Sequence, residues 1–259
     1  MVGESHALES VAAPILASEG IRLESELVNR VCREGRPRAA VWQARRALIV
    51  TAREARMPGF AQASAALAAR ETPVLVRESG GGAVILGPGV IVLSLVDVLG
   101  ADESGAPAPI FRGFESLRSV VEQALAPWNC RVAFGSVRSS YCDGRYNLTL
   151  GGRKFAGTAQ RHRAGANHAV LAHAAVMVDC DVAEHLACIA RFLGSCGLEG
   201  RFDPASCLTV RDAAHGARFD DVWRSLESAV DQWLTVRWGS AAACLLRHPQ
   251  RLSMDRPRT

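Results

Sequence analysis

Three short segments rich in β-branched residues follow one another between residues 74 and 96, and glycines separate them. The pattern predicts strands over residues 74–77, 83–86 and 90–96, with turns at residues 80–82 and 87–89. Short strands separated by glycine turns suggest hairpins, and hairpins mixed with helices indicate a largely antiparallel sheet. This region therefore restricts the chain to folds built around a largely antiparallel sheet.

A second hairpin is predicted around Gly151 and Gly152, a two-residue turn signal between segments 146–150 and 153–158. In this register Lys154 lies opposite Thr149. As a residue of a hairpin, Lys154 is expected to contribute little to core packing. Further strands are predicted over residues 40–51, 131–134 and 168–178.

Apolar residues at helical spacing predict helices that flank the sheet. They cover residues 8–15, 19–33, 58–70, 114–124, 182–193 and 219–233. Residues 101–109 are predicted as a loop and residues 250–259 as a frayed end. We therefore expect an α/β fold of the α+β type with a mixed, largely antiparallel sheet. The whole chain, residues 1–259, is expected to form a single domain with its core at about residues 19–235.

The composition is that of an ordinary globular protein, with 49% hydrophobic and 22% charged residues. The net charge of +4 is too small to indicate nucleic-acid binding. The chain begins without the features of a signal peptide, and its longest apolar stretches are too short to cross a membrane. Its eight cysteines form no Cys-x-x-Cys pair. We expect a cytoplasmic protein with reduced thiols and no metal, membrane or nucleic-acid partner.

Lys154 is the only lysine in the sequence, so the other 29 basic residues are arginine. A genome that favours arginine codons explains the excess of arginine but not the lysine that remains. Arginine cannot replace lysine where a compact ammonium on a flexible stem is needed. Lys154 is therefore either a functional residue or a chance survivor.

The predicted turn at residues 80–82, between the predicted strands at residues 74–77 and 83–86, is rich in glycine. Successive glycines let a backbone approach a ligand closely and adopt positive φ. The segment matches neither a phosphate-binding loop nor a dinucleotide fingerprint, because no helix clearly follows it. It is either a ligand-binding loop or an ordinary hairpin turn. Its candidate substrate-binding residues are Arg77, Ser79, Gly80, Gly81, Gly82 and Ala83.

Cys142 lies in a predicted loop over residues 136–144, with Arg138 and Arg145 close by in the sequence. Positive potential stabilises a thiolate, which is the nucleophilic form of cysteine. The alternative is a small, inert residue in a turn. The following segment, residues 151–163, places Lys154 just after a tight turn and ends in a polar, cationic stretch.

These three segments resemble the catalytic domain of the lipoate–protein ligase, biotin ligase and octanoyltransferase superfamily. The resemblance extends from about residue 19 to residue 193 and is most specific at residues 79–84 and 153–161. It implies that Lys154 contacts an acyl carbonyl. It also implies that further residues bind substrate, namely Gly144, Tyr146, Gly157, Thr158, Ala159 and His173.

The Cys-x-Gly-x-Tyr pattern at Cys142, Gly144 and Tyr146 is similar to the branch that transfers octanoyl groups through a cysteine thioester. The resemblance implies aspartate after the tyrosine and proline after the cysteine, where this chain has Asn147 and Asp143. It also implies that Cys142 meets Lys154. The loop over residues 136–144 would have to fold back for that contact, because the hairpin register does not provide it.

The resemblance implies a ping-pong acyltransferase that needs no cofactor. The expected donor is octanoyl-acyl carrier protein or an octanoylated or lipoylated glycine-cleavage H protein. The expected acceptor is the lysine of a lipoyl domain of a 2-oxoacid dehydrogenase, and the glycine loop is expected to line the acyl tunnel. Two alternatives remain: an ATP- and magnesium-dependent lipoate–protein ligase, and a non-catalytic protein that binds lipoyl domains or acyl carriers.

Overall fold

The computed structural model describes residues 7–99 and 109–247 of the chain. Within them the chain forms ten strands and six α-helices. The strands are β1 (Leu8–Ile15), β2 (Arg38–Ala44), β3 (Ala47–Thr51), β4 (Val74–Arg77), β5 (Val84–Leu86), β6 (Val90–Leu99), β7 (Ala133–Phe134), β8 (Leu148–Leu150), β9 (Arg153–Arg163) and β10 (His168–Met177). The helices are α1 (Ala17–Glu34), α2 (Phe60–Ala68), α3 (Pro109–Leu125), α4 (Val182–Ser195), α5 (Val210–Ala213) and α6 (Phe219–Arg247).

Seven strands form one sheet in the order β1-β2-β6-β10-β9-β8-β7. β1 runs parallel to β2, and the other neighbouring pairs of this sheet are antiparallel. A smaller sheet, β4-β3-β5, has one parallel and one antiparallel pair. β4 and β5 flank β3 and do not pair with each other, so the glycines of residues 80–82 are not a hairpin turn, and β6 lies in the large sheet. The predicted α+β fold with a mixed, largely antiparallel sheet is confirmed.

The side chains of the large sheet alternate between two cores, because successive residues of a strand point to opposite faces. On β6, Ile91, Leu93 and Leu95 belong to a core shared with α3 and α6. Val92 and Val96 belong to a second core, shared with α1. Helices therefore cover both faces of the central strands, which fixes the strand positions that line the candidate site.

A third core joins the small sheet to α2 and α4. In it the rings of Phe60 and Phe192 meet edge to face, with their centroids 6.1 Å apart. Tyr141 is buried in the same core, and Cys142 packs against it. The loop that carries the candidate nucleophile is thus anchored to the small sheet.

Residues 8–15, predicted as a helix, form the edge strand β1 instead. Leu8 pairs with Ala39 of β2 in parallel register. Pro14 accounts for the difference, because a proline is disfavoured inside a helix and tolerated in an edge strand, where one row of backbone groups is unpaired.

The strand predicted over residues 40–51 is in fact two strands, β2 and β3, which belong to different sheets. The chain turns at Arg45 and Arg46. The Arg46 guanidinium donates hydrogen bonds to the Thr72 hydroxyl at 2.9 Å and to the Glu184 carboxylate at 2.5 Å. Apolar residues continue on both sides of this turn, so the sequence gives no sign of the change of sheet.

The other predicted elements are confirmed with shifted ends. The strand predicted over residues 131–134 is limited to Ala133–Phe134, and the last predicted helix continues to Arg247. The turn glycines Gly151 and Gly152 have φ values of +56° and +79°, and Lys154 pairs with Thr149. Of the predicted loop over residues 101–109, only residue 109 is described, and it begins α3. The predicted frayed end, residues 250–259, lies outside the described residues.

Candidate active site

The loop that carries Cys142 folds back onto the β8–β9 hairpin. The ammonium of Lys154 donates a hydrogen bond to the Cys142 carbonyl oxygen at 3.0 Å and another to the Tyr141 carbonyl oxygen. The hairpin register alone would keep Lys154 opposite Thr149. Cys142 and Lys154 are therefore neighbours through the loop and not through strand pairing.

Lys154 is fully buried, with 0% of its surface exposed. Its ammonium lies 3.6 Å from the centroid of the Tyr141 ring, a cation–π contact. Burial lowers the pKa of Lys154 to about 8, although the nearby Cys142 opposes the shift. The expectation that Lys154 contributes little to packing is wrong. A distant part of the chain covers the start of β9, where the Leu208 N–H donates to the Lys154 carbonyl at 2.9 Å.

Cys142 itself adopts a left-handed backbone conformation, with φ at +48°. This region is uncommon for a residue with a β-carbon and is maintained only where surrounding contacts impose it. One such contact is the Asn147 side-chain amide, which donates to the Cys142 carbonyl oxygen at 2.6 Å. The cysteine is therefore held in an unfavourable turn by side chains outside the turn.

Arg77, at the end of β4, holds the shape of the glycine loop. Its guanidinium donates to the carbonyl oxygens of Gly80 at 2.9 Å and Gly82 at 2.8 Å. Burial lowers the pKa of Arg77, while Cys142 and Glu54 nearby oppose the shift. The Glu54 carboxylate in turn accepts a hydrogen bond from the backbone N–H of Ala83 at 2.9 Å.

The glycine loop lies directly against Cys142. A β-carbon on Gly82 would lie 3.2 Å from the Cys142 β-carbon and 3.6 Å from its Sγ. A β-carbon on Gly81 would lie 3.4 Å from the Cys142 Sγ, and the φ of Gly81 is +101°. The loop can approach the sulfur this closely because these two positions have no side chain.

Cys142 lines two cavities. The first is a largely apolar pocket between the two sheets and α1. Its apolar lining is Ile21, Trp42, Ile49, Val84, Leu86 and Val92. The candidate residues that line it are Arg77, Gly82, Cys142, Gly157, Thr158, Ala159 and His173. An alkyl chain attached to the sulfur would find an apolar environment here.

A chain of polar side chains runs along the wall of this pocket. The Trp42 indole donates to the Ser94 hydroxyl at 3.3 Å, which donates to the Glu24 carboxylate at 2.7 Å. His173 bonds to Glu24 through Nδ1 at 2.8 Å and to the Ser79 hydroxyl through Nε2 at 3.0 Å. Burial raises the pKa of Glu24, but His173 and Ser94 bring it below its ordinary value. The network thus ties α1 and β10 to the start of the glycine loop through an ionised carboxylate.

The second cavity is a groove beside the Cys142 loop. The candidate residues Gly80, Gly81, Gly144 and Tyr146 line it, and Thr158 and Ala159 line both cavities. The Tyr146 ring stacks on that of Phe114 with 4.4 Å between centroids. Exposed Arg145 and His162 also line this groove.

The structure therefore divides the candidate residues between two cavities. Of the three glycines, only Gly82 lines the apolar pocket, whereas Gly80 and Gly81 line the groove. Lys154 is not among the residues that line either cavity. Its side chain lies behind Gly157, where an added β-carbon would be 3.7 Å from the Lys154 Cε.

Glu24, Trp42 and Asn147 belong to the site without having been predicted. Glu24 does leave a signal, because it lies on the same helical face as the apolar Leu27 and Val28 and is itself buried. A carboxylate on an apolar helix face needs a buried partner. Trp42 and Asn147 leave no comparable signal in the sequence.

The contact between Gly82 and Cys142 can be tested by Gly82→Ala. We expect the acyl transfer that the resemblance implies to fall about tenfold, because the new methyl group crowds the sulfur and the mouth of the pocket. The melting temperature should change little, since the φ of Gly82 is not in the left-handed region. Gly80→Ala is the matched control, because a β-carbon there has no atom within 4 Å. Equal rates for the two variants, measured on purified protein, would contradict this prediction.

Disulfides, groups that could hold a metal ion, and helices that could span a membrane are all absent from the described residues. The seven cysteines with described side chains are all free. No group of three His, Cys, Asp or Glu side chains capable of holding a metal ion occurs in the described part of the chain. None of the described helices combines the length and apolar character needed to cross a membrane.

Residues 17–199 match the model of the lipoyl protein ligase A/B catalytic domain. The chain belongs to this family. The structure of this chain is similar to that of lipoate-protein ligase A bound with ATP. The two superpose with a TM-score of 0.65 and 18% sequence identity over 96% of each chain. At this identity the likeness concerns the fold alone.

Among the relatives of this chain by sequence are an uncharacterized protein and an enzyme with a named activity. An uncharacterized protein of Cupriavidus necator is 32% identical over 203 residues, which cover 73% of this chain and 79% of that protein. An octanoyl-[GcvH]:protein N-octanoyltransferase of Bacillus velezensis is 33% identical over 127 residues. That match covers 49% of this chain and 43% of the Bacillus enzyme, so it spans less than half the length of the relative with a named activity.

Proposed function

We propose that this chain is an acyltransferase that moves an octanoyl or lipoyl group from a carrier protein to the lysine of a lipoyl domain, through a thioester on Cys142. The observation that carries the proposal is the position of Cys142, which lines both the apolar pocket and the groove beside its own loop. The pocket suits the alkyl chain of an acyl group, and the groove suits the arm of the protein that delivers or receives it.

In the first half-reaction the Cys142 thiolate attacks the acyl carbonyl of the donor. The carbon–sulfur bond forms and the bond between the acyl carbon and the donor's amine or thiol breaks, and the leaving group takes up the proton that the Cys142 thiol gave up when it ionised. The positive charges of Lys154 and Arg77 attract the anionic sulfur before the attack. The acyl group remains on the enzyme as a thioester, with its chain in the apolar pocket.

In the second half-reaction the acceptor lysine enters the groove that the donor has left. Its neutral amine attacks the thioester, the carbon–sulfur bond breaks, and Cys142 departs as the thiolate. An amide forms on the acceptor, and the proton that the amine loses returns to the Cys142 sulfur or passes to water. The acyl group arrives already activated or already in an amide, so we propose that no nucleotide or metal cofactor takes part.

Lys154 is the proposed electrostatic catalyst of both steps. An ammonium has three N–H donors; the carbonyls of Tyr141 and Cys142 accept from two of them, and the ammonium also contacts the Tyr141 ring, 3.6 Å from its centroid. To reach an acyl oxygen, Lys154 must therefore give up one of these contacts. A donor aimed at the acyl oxygen would stabilise the negative charge that develops there during attack. Burial makes that interaction stronger, because no water competes for the donor.

The proposed partners follow from the chemistry and from the relative's name. Octanoyl-[GcvH] is named in the Bacillus enzyme, and an octanoylated or lipoylated glycine-cleavage H protein, or octanoyl-acyl carrier protein, is the proposed donor here. Lipoyl domains of 2-oxoacid dehydrogenases are the proposed acceptors. We propose the cytoplasm as the compartment, because free thiols persist where the environment is reducing.

The decisive experiment is intact-mass analysis of the purified protein after mixing with octanoyl-carrier protein. We expect an octanoyl adduct on Cys142, which disappears when an unmodified lipoyl domain is added and reappears on that domain. Transfer that instead requires ATP and free octanoate or lipoate would establish a ligase. Binding of the lipoyl domain with neither adduct nor transfer would establish a non-catalytic binding protein.

The pKa of Lys154 predicts how the acylation of Cys142 depends on pH. Its ammonium is charged below about pH 8 and loses its proton above it, whereas an ordinary lysine stays charged to about pH 10. We therefore expect the acylation rate, divided by the rate at which iodoacetamide alkylates the Cys142 thiolate, to fall as the pH rises through about 8. The rate would be measured by mass spectrometry in single turnovers. Alkylation of Cys142 by iodoacetamide is the control, because it develops no oxyanion and should not fall. A ratio of the two rates that does not fall up to about pH 10 would contradict the role of the Lys154 charge.

A further inference from the structure

Two buried side chains converge on the carbonyl oxygen of Cys142. The Asn147 Nδ2 donates to it at 2.6 Å and the Lys154 Nζ at 3.0 Å. Both side chains are almost inaccessible, with 2% of Asn147 and 0% of Lys154 exposed. A backbone carbonyl needs only one good donor to remain satisfied when buried, so this oxygen has one more than it requires.

The backbone of Asn147 is held in place by two hydrogen bonds. Its backbone N–H donates to the Gly144 carbonyl at 3.2 Å, and its own carbonyl accepts from the Gly135 N–H at 3.0 Å. Asn147 directly precedes β8, and both its backbone N–H and its carbonyl oxygen are hydrogen-bonded. The Cys142 turn, by contrast, has its φ in the left-handed region and needs such an anchor.

The second carbonyl that Lys154 holds has a weaker alternative. Besides Lys154, the described partner of the Tyr141 carbonyl oxygen is the Ser140 hydroxyl at 3.5 Å, and that hydroxyl also donates to Val137 at 2.8 Å. If Lys154 turns one N–H away, the oxygen it can leave at least cost is that of Cys142. Asn147 keeps that oxygen hydrogen-bonded.

We propose that Asn147 is a positioning residue that holds the Cys142 carbonyl, so that Lys154 can turn one N–H from this carbonyl to the acyl oxygen during transfer. The inference rests on the proposed function, because it concerns the oxyanion formed on an acyl carbonyl. Without Asn147, the same movement of Lys154 would leave a buried carbonyl without a donor, which is unfavourable.

The test compares two reactions of the same sulfur in Asn147→Ala. Acylation by octanoyl-carrier protein develops an oxyanion, whereas alkylation by iodoacetamide does not. We expect the single-turnover acylation rate to fall about tenfold to a hundredfold. Alkylation of Cys142, followed by peptide mass spectrometry, should stay within about threefold of the parent protein, because it needs only a reachable thiolate.

The chain offers a matched control in Asn167. Its side-chain amide donates to the carbonyl oxygen of another cysteine, Cys32, at 3.1 Å, away from both cavities. Asn167→Ala removes the same kind of hydrogen bond and should leave both rates unchanged. If Asn147→Ala does not fold, Asn147→Leu keeps a side chain of similar size, removes the donor without adding a charge and should show the same selective loss.

The outcomes separate this inference from the proposed function. An unchanged acylation rate in the Asn147 variant overturns the inference, and so does an equal fall in acylation and alkylation, which would mean that the loop is simply displaced. A parent protein that forms no octanoyl adduct overturns the proposed function and the inference with it. A selective loss of acylation in the Asn147 variant, absent from the Asn167 control, supports both.

Discussion

Cys142→Ser is expected to abolish acyl transfer, with a loss of at least about a thousandfold, while the protein stays folded. A serine hydroxyl is ionised to a negligible extent near neutral pH, so the variant lacks the thiolate that attacks the acyl carbonyl. Serine is close in size to cysteine and can occupy the same left-handed turn. We therefore expect the free energy of unfolding to change by less than about 1 kcal/mol.

Cys130→Ser is the matched control for this substitution. Cys130 is a second partly buried thiol, and it lines neither of the two cavities around Cys142. Transfer of the octanoyl group to a lipoyl domain and the intact mass of the enzyme would be measured for both variants. Transfer at the parent rate by Cys142→Ser would refute the covalent mechanism and favour a ligase that activates its acid with ATP.

Lys154→Arg is expected to lower both transfer and stability. Transfer should fall about a hundredfold or more, because a planar guanidinium cannot aim a single donor as a compact ammonium does. The larger side chain must also displace Tyr141 or the Cys142 turn, since Lys154 is fully buried. Overpacking of this kind typically costs about 1–3 kcal/mol of the free energy of unfolding.

Arg163→Lys, an exchange in the opposite sense at an exposed position of the same strand, is the control for Lys154→Arg. It should change the free energy of unfolding by less than about 0.5 kcal/mol, measured by denaturant titration. If Lys154→Arg does not fold, Lys154→Met keeps an unbranched side chain and removes only the charge and the donors. Full activity and parent stability in either Lys154 variant would show that this lysine has no special role.

The sequence is informative where the determinants are local. Gly151 and Gly152 define the hairpin turn, and the glycine run of residues 80–82 marks the loop that approaches the cysteine. Both depend on backbone conformations that few other residues adopt. The resemblance carried by the same segments adds the family, which the match over residues 17–199 confirms.

Where contacts join distant segments, the sequence is silent. The burial of Lys154 depends on residues 207 and 208, and the pair of Glu24 and His173 joins residues 149 positions apart. Pairings of this kind are set by the tertiary fold and not by local propensity. The role of Asn147 depends in addition on the φ of Cys142, which no residue preference would predict.

The burial of Lys154 also affects whether the protein can acylate itself. A thioester acylates a neutral amine that reaches it, and the lysine amines on a protein surface are the groups most open to this side reaction. This chain has one lysine, and it is enclosed, while its other basic residues are arginines that do not lose their proton in proteins. The surface thus carries positive charge without offering lysine amines, so an acyl group held on Cys142 meets no surface lysine of the protein that carries it.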